Sequence, residues 1–399
     1  MKNIPIIGLT GNPKKIQCHV SVLGDPSLSD PAIASHTVGI EELAAVSWNG
    51  AWLAIVRGRA SAENDTSILT VCRAQEGAEE IVAVRPPESR CVIPRDIRND
   101  GTLLFEADLG NPNNASGFSR RAVLFEPGQR QTVILPPPFN QEDLFDDDPM
   151  RKGVVRSHTP LCFTPNGNVF CWAYKAYDVE RGIKESGLLN CFWYQHGSAG
   201  WDLEYGPPYL EKMTLWPAGS GMYIWCTRIE EGSQEMAHVG LFNGKGLEIF
   251  NDVTLPGHSH AITAVAANNI FFGHLFWSDG KSQESGSGEK FNHFPNSFLV
   301  DPQRQAMHIF NDGAKNNPFL EGISENGHYL IGTKPDVGFF LMQAAAEGYS
   351  FGLLDAPGWR IEDAVHVNDE CHVFALATCV DRKHGCFRLK LPVKLIPQL

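Results

Sequence analysis

Three residues of the sequence combine an acid–base side chain with a position at which chemistry could occur. His158, His260 and Glu321 each lie just before or within a short apolar segment that the sequence pattern predicts as a strand. Imidazole and carboxyl groups are the side chains that most often transfer protons in enzymes. We therefore predict these three residues as the candidate catalytic groups.

A second set of polar and aromatic residues occupies similar positions and is predicted to contact a ligand. Charged side chains bind polar ligands through charge-assisted hydrogen bonds, and tryptophan can stack on a sugar ring or anchor a partner. The set comprises Arg95, Asp96, Arg156, Lys212, His258, Trp277, Glu362 and Asp363. A water-filled channel lined by solvated charges is the alternative interpretation of the same residues.

His258 and His260 form the densest chemical cluster and could chelate a metal ion. Alternate residues of an extended segment lie on the same side, and imidazole is a common ligand of transition metals. No carboxylate lies at a suggestive spacing from them, so two histidines alone would make an incomplete site. We predict neither a metal ion nor any other cofactor.

The elements that must position these residues form a weak repeat, which occurs about seven times. Each unit has two short apolar segments around a turn of Asn or Asp, usually followed by Gly, as at Asn49-Gly50 and Asn326-Gly327. Such dipeptides accept positive φ at both central positions and favour two-residue hairpins. Two further β-like segments follow each turn, so one unit of about fifty residues holds four strands.

This pattern predicts an all-β fold, namely a single seven-bladed β-propeller of four-stranded antiparallel blades over residues 1–399. A six- or eight-bladed propeller, a β-solenoid and a pair of β-sandwich domains are the alternatives. The lead-in 1–35 contains a predicted strand at 16–23, which either closes the ring beside the last unit or simply leads into the first. The predicted units are 36–90, 91–157, 158–209, 210–259, 260–318, 319–360 and 361–399.

The repeat resembles the HAF-type repeat of bacterial propeller-like proteins, whose pattern is roughly A-x-x-I-N-x-x-G-x-V-V-G. The best match is residues 322–332, which read GISENGHYLIG, and a second is residues 264–273, which read AVAANNIFFG. The resemblance covers the hairpins of about five units. It implies a propeller-like fold and provides no catalytic residues for this chain.

Long connections are expected on only one face of the predicted blades. The turns between first and second strands are short, whereas the long segments join second to third strands or successive units. Long loops in compact domains usually carry function, so this face is predicted to hold the site. The long segments are 108–119, 138–156, 175–185 and 277–295.

Four of the candidate residues are predicted to meet at the mouth of the central channel on this loop face. Arg95, His158, His260 and Glu321 each lie near the start of the innermost strand of a different unit. The innermost strands of a propeller surround one axis, so residues far apart in sequence would come together there.

Two functions remain open at this point. The first is a binding module that holds a protein or glycan partner through the loop face. The second is an enzyme, a hydrolase or lyase, that acts on a carbohydrate or another small polar substrate at the channel mouth. The sequence contains no complete catalytic motif, and this favours the binding module.

Charge and hydropathy exclude some partners. The formal net charge is −13 and no Lys/Arg-rich run is present, so we expect no nucleic-acid partner. The longest apolar runs are far shorter than a membrane span, so we expect no membrane insertion. The N-terminus has no signal-peptide pattern, which predicts a cytoplasmic chain or export without a standard signal. The oligomeric state stays open.

Cys162 and Cys171 flank the predicted Asn166-Gly167 turn. Counting outward from a two-residue hairpin places these cysteines opposite each other, in a pair that could accommodate a disulfide. Buried free thiols are the more common state in a cytosolic protein, so both states remain open.

Overall fold

The structure is a computed structural model, and every described element of regular secondary structure in it is a β-strand. Most of the long segments predicted to form the loop face lie outside the described residues. The described residues are 2–9, 13–23, 41–57, 67–87, 89, 91–109, 120–136, 154–176, 191–205, 213–218, 222–231, 234–242, 247–256, 259–277, 294–310, 317–380 and 386–392.

Four short strands precede the sheets. They are β1 (Lys2–Asn3), β2 (Ile6–Ile7), β3 (Lys15–Gln17) and β4 (Ser21–Val22). The predicted strand at 16–23 is therefore two short strands rather than one.

The chain divides into two compact units, of which one comprises residues 22–211. Its described strands form three antiparallel sheets of four strands each, in which each strand pairs with the next along the chain. The first sheet is β5 (Glu41–Val46), β6 (Trp52–Arg57), β7 (Ile68–Arg73) and β8 (Glu80–Val82). The second is β9 (Cys91–Ile97), β10 (Leu103–Asp108), β11 (Arg120–Glu126) and β12 (Gln131–Ile134). The third is β13 (Val154–Phe163), β14 (Val169–Ala176), β15 (Cys191–Gly197) and β16 (Gly200–Tyr205).

The other compact unit comprises residues 1–21 and 212–399, and its described part holds four sheets. The first is β17 (Met213–Ala218), β18 (Met222–Glu231), β19 (Gln234–Phe242) and β20 (Leu247–Pro256). The second is β21 (Ser259–Val265), β22 (Phe271–Trp277), β23 (Phe294–Asp301) and β24 (Ala306–Phe310). The third is β25 (Phe319–Ile323), β26 (Tyr329–Lys334), β27 (Gly338–Ala345) and β28 (Gly348–Asp355). The fourth is β29 (Trp359–Val367), β30 (His372–Cys379) and β31 (Cys386–Pro392), followed by β4.

The N-terminal segment lies along the outer edges of these last sheets. Strand β1 pairs in parallel with β24, β2 and β3 pair in parallel with β28, and β4 lies beside β31. Glycines allow the close approach, because a Cβ on Gly348 would lie 2.1 Å from the Pro5 carbonyl oxygen. A Cβ on Gly352 would lie 2.5 Å from the Ile16 side chain. The segment therefore covers sheet edges that would otherwise be open to pairing with other chains.

The hairpins between first and second strands have three or four loop residues rather than two, since the Arg98 N–H donates to the Thr102 carbonyl and the Ser47 N–H to the Trp52 carbonyl. The N–H of Gly50 donates to the Ser47 carbonyl, and of these turn residues only Gly50 has positive φ, at 67°. Gly101, Gly167 and Gly327 repeat this arrangement. Our prediction of positive φ at both central positions is therefore wrong, because a single left-handed glycine ends each of these turns.

Hydrogen bonds join these turns between neighbouring sheets. The Asn49 N–H donates to Asn99 Oδ1 over 3.0 Å in the unit of residues 22–211. In the other unit Asn268 Nδ2 donates to the Asn326 carbonyl over 2.7 Å, and the Asn326 N–H donates to Asp369 Oδ1 over 3.0 Å. The Asn and Asp side chains that favour the turns therefore also fix adjacent sheets to each other.

The first strand of several sheets has a β-bulge three residues before the hairpin turn. The extra residue leaves the ladder register locally, which re-aims its side chain. Two of the predicted site residues, Arg95 and Glu321, occupy this position. The bulge residues are Ala44, Arg95, Leu161, Thr263, Glu321 and Val365.

The bulge at Leu161 also changes the cysteine pairing. Cys171 lies opposite Pro160, and Cys162 lies opposite Phe170, so the two cysteines are not the cross-strand pair that simple counting gave. Both are free and buried, and burial raises the pKa of both thiols well above its ordinary value. They pack as small apolar side chains in the core.

Candidate functional site

Glu321 and Asp363 come together on the first strands of two adjacent sheets, β25 and β29. Gly322 allows this approach, since a Cβ there would lie 3.2 Å from the Val365 carbonyl oxygen of β29. The Glu321 side chain is hydrogen-bonded to the Asp363 carboxyl group. Both residues are partly exposed, so a ligand could reach them.

This pairing changes the ionisation of Glu321. Burial is the main cause that raises the pKa of Glu321 to about 8, and the neighbouring Asp363 carboxylate raises it further in the same direction. At neutral pH Glu321 therefore retains its proton and donates it in a hydrogen bond to Asp363. A protonated carboxyl beside a carboxylate gives one donor and one acceptor, which suits either ligand binding or proton transfer.

Glu362 lies beside this pair in sequence but faces solvent. It accepts hydrogen bonds from Thr378 Oγ1 over 2.8 Å and from Arg360 Nε over 2.6 Å. The hydrogen bond from Thr378 is the main cause that lowers the pKa of Glu362, and Arg360 acts in the same direction. Its carboxylate is therefore engaged by two neighbours on its own sheet.

Arg95 forms an ion pair inside the unit of residues 22–211. Its guanidinium contacts the carboxylate of Glu106, whose side chain is 3% exposed. Arg120 Nε lies 3.2 Å from the other oxygen of the same carboxylate. The buried Glu106 carboxylate is thus paired with two arginines, and the cluster links β9, β10 and β11 of one sheet.

Asp96 connects two sheets through backbone amides. One carboxyl oxygen accepts the Ile97 N–H over 2.7 Å, and the other accepts the Phe163 N–H over 2.8 Å. Burial raises the pKa of Asp96 to about 6, although both amide hydrogen bonds oppose that shift. The carboxyl group thus joins β9 to β13, and its role as a ligand contact stays a prediction.

The remaining candidates are located only by their strands or lie outside the described residues. His158 lies in β13 opposite Ala173, and His260 lies in β21 opposite Leu275. Arg156 is a further bulge residue of β13, and Trp277 is the last residue of β22. Their side chains are outside the described part, as are Lys212 and His258 altogether.

The predicted convergence of Arg95, His158, His260 and Glu321 stays a prediction. Arg95 and His158 belong to one compact unit, and His260 and Glu321 belong to the other. Among the residues that the structure describes, no group of three or more His, Cys, Asp or Glu side chains could hold a metal ion.

Sequence reasoning missed Ser297 and His274, which contact the two residues just before Glu321. Ser297 is fully buried, and its Oγ accepts the N–H of Leu320, the residue before Glu321. Phe319 stacks on His274 with ring centroids 3.9 Å apart. No sequence signal marks Ser297, because a serine within a strand has no characteristic spacing.

Comparison with solved structures identifies the fold. The chain is similar to an acylaminoacyl peptidase from Pyrococcus horikoshii, with a TM-score of 0.51 and 9% identity over 88% of this chain and 51% of the peptidase. It is also similar to an oligogalacturonate lyase in complex with manganese, with a TM-score of 0.50 and 8% identity over 96% of this chain and 99% of the lyase. The chain thus spans about half the length of the peptidase.

These similarities define the class of the protein. The chain is an all-β protein of the β-propeller class, built from small antiparallel sheets of mostly four strands, and this part of our prediction is confirmed. No protein-family model matches the sequence and no curated protein matches it significantly, so the resemblance to the HAF-type repeat has no support. No helix in the described part is long and apolar enough to cross a membrane.

Proposed function

We propose that this chain is a ligand-binding β-propeller that holds a hydroxyl-rich ligand, such as a glycan, beside β25 and β29. The Glu321–Asp363 pair is the observation that carries this proposal. Its protonated carboxyl donates a hydrogen bond and its carboxylate accepts one, and a sugar hydroxyl can do both. We further infer that the sheets form one seven-bladed ring and that the long segments add contacts to a glycan or a protein partner.

The alternative is that the same site turns over its ligand, as a hydrolase or lyase. The proton that Glu321 retains near neutral pH favours this second function, since a carboxylic acid with a raised pKa is a suitable general acid. Asp363 would then be the nearby base or would stabilise developing positive charge. The fold supports this alternative only weakly. An oligogalacturonate lyase and a peptidase share the fold, so the fold alone does not specify a reaction.

Calorimetric titration with a neutral oligosaccharide, cellotetraose, and an acidic one, an oligogalacturonate, tests the proposal. We expect at least one of them to bind, and we expect Glu321→Ala and Asp363→Asn each to weaken binding about tenfold, or about 1.4 kcal/mol. Glu347→Gln, which removes an exposed carboxylate in the turn after β27, is the matched control and should bind like the wild type.

Product analysis of the same mixtures of protein and oligosaccharide distinguishes the binding module from the enzyme. New reducing ends or unsaturated products that disappear in Glu321→Ala would assign the site to an enzyme, whereas binding without products would assign it to a binding module. If both oligosaccharides fail to bind, or if the two site variants bind as tightly as Glu347→Gln, the proposal is wrong.

A further inference from the structure

Ser297 holds His274 in a fixed orientation next to the Glu321 strand. The two residues lie opposite each other on β22 and β23, with Ser297 Oγ 3.2 Å from His274 Nδ1. The same oxygen accepts the Leu320 N–H over 2.9 Å. Ser297 is 0% exposed, so its hydroxyl has no access to bulk water.

These contacts determine which imidazole nitrogen carries the proton. The hydroxyl hydrogen of a buried serine needs an acceptor, and the hydrogen bond to Leu320 uses only a lone pair of the oxygen. In the described part of the chain, Nδ1 of His274 is the acceptor that this hydroxyl reaches. Ser297 therefore donates to Nδ1, and the ring proton resides on Nε2.

The ring is also kept neutral and stationary. It stacks on Phe319 with the ring planes 6° apart, and Phe272 packs edge-on at 6.0 Å. Burial lowers the pKa of His274 to about 4, so the imidazole is uncharged at neutral pH. His274 is partly exposed, so the ring is not sealed within the core.

We propose that His274 is a ligand-contacting residue, whose Nε2–H donates a hydrogen bond to a hydroxyl, ring or carbonyl oxygen of the ligand held by Glu321 and Asp363. This inference rests on the proposed function. Its geometric basis is that Phe319, on which the ring stacks, lies two residues before Glu321 on β25, or roughly 7 Å along a strand. Ser297 is the positioning residue, since it contacts both His274 and the backbone of Leu320.

Nitrogen NMR of the ¹⁵N-histidine-labelled protein tests the proton assignment without any ligand. The chain has 14 histidines, and the His274 signals are those lost in His274→Gln. We expect a neutral ring protonated on Nε2 at every pH between 5 and 8, and a mixture of both tautomers in Ser297→Ala. A ring protonated on Nδ1, or one that becomes charged above pH 6, would overturn the inference.

Calorimetry with cellotetraose and the oligogalacturonate then tests the contact itself. The amide nitrogen of Gln can reproduce the Nε2 donor, whereas the shorter Asn side chain cannot reach as far. We expect His274→Gln to bind within threefold of the wild type and His274→Asn to bind at least tenfold more weakly. The two variants should have the same melting temperature.

The outcomes distinguish the two proposals. If Glu321→Ala and Asp363→Asn weaken binding but His274→Asn does not, His274 is not a ligand contact and the proposed function stands. If the wild type binds neither oligosaccharide, both proposals fail together.

Discussion

Deletion of residues 1–24 is expected to destabilise the protein by about 3 kcal/mol or more, seen as a lower midpoint of denaturant unfolding. The segment buries Ile4 at 2% exposure and Ile16 at 7% against β24 and β28. Its removal would expose these apolar contacts and open the edges of three sheets, so we also expect association between copies.

Point variants separate the effect of packing from that of chain length. Ile4→Ala should cost about 2–4 kcal/mol because it leaves a cavity beside β24. Ile7 is 47% exposed, so Ile7→Ala is the matched control and should stay within about 0.5 kcal/mol of the wild type. A truncated protein that melts at the wild-type temperature and stays monomeric would show that the N-terminal segment is only a lead-in.

Gly332→Ala is the single substitution expected to have the largest effect on the site. A Cβ at this position would lie 2.2 Å from the Phe319 carbonyl oxygen and 2.5 Å from the Phe340 ring. Gly332 pairs with Leu320 on β25, so backbone would have to move just before Glu321. We expect a loss of about 3 kcal/mol in unfolding free energy, measured by chemical denaturation.

Gly128→Ala provides the control for this substitution. A Cβ on Gly128 would meet no atom within 4 Å, and its φ is not positive. Its stability should therefore remain within about 0.5 kcal/mol of the wild type. If Gly332→Ala were equally stable and bound ligand normally, the close packing of β25 against β26 would not position the site.

Local chemistry explains which parts of the fold could be predicted. Asn-Gly and Asp-Gly pairs mark the hairpins at Gly50, Gly101, Gly167 and Gly327, because glycine readily adopts the positive φ that each turn requires. The turn type was mispredicted, since a type with one left-handed residue accepts the same dipeptides. The parallel N-terminal strands could not be predicted in detail, because their register depends on close approach to Gly348 and Gly352.

The contact between Glu321 and Asp363 could not be predicted from the sequence, and their role as site residues stays a prediction. Glu321 and Asp363 were both selected because they lie on first strands near the axis of the predicted ring. Their direct contact depends on a β-bulge at Glu321 and on the close approach at Gly322, which are tertiary features that spacing does not reveal. For the same reason, residue spacing does not reveal that the Phe163 N–H donates a hydrogen bond to the Asp96 carboxylate.

The proton that Glu321 retains makes the stability of the folded state depend on pH in a definite direction. The folded state binds this proton between about pH 4.5 and pH 8, where the unfolded state has released it. The resulting stabilisation is fully present below pH 4.5 and is lost as the pH rises through 8. Glu321→Gln, which keeps a neutral donor, should therefore gain stability relative to the wild type as the pH is raised.

Carboxyl-carbon NMR of the ¹³C-glutamate-labelled protein measures this proton directly. We predict one carboxyl signal that titrates with a midpoint near pH 8, that is absent from Glu321→Gln, and whose midpoint falls in Asp363→Asn. A Glu321 carboxyl that titrates with its ordinary pKa of about 4.5, and whose midpoint does not change in Asp363→Asn, would contradict the retained proton.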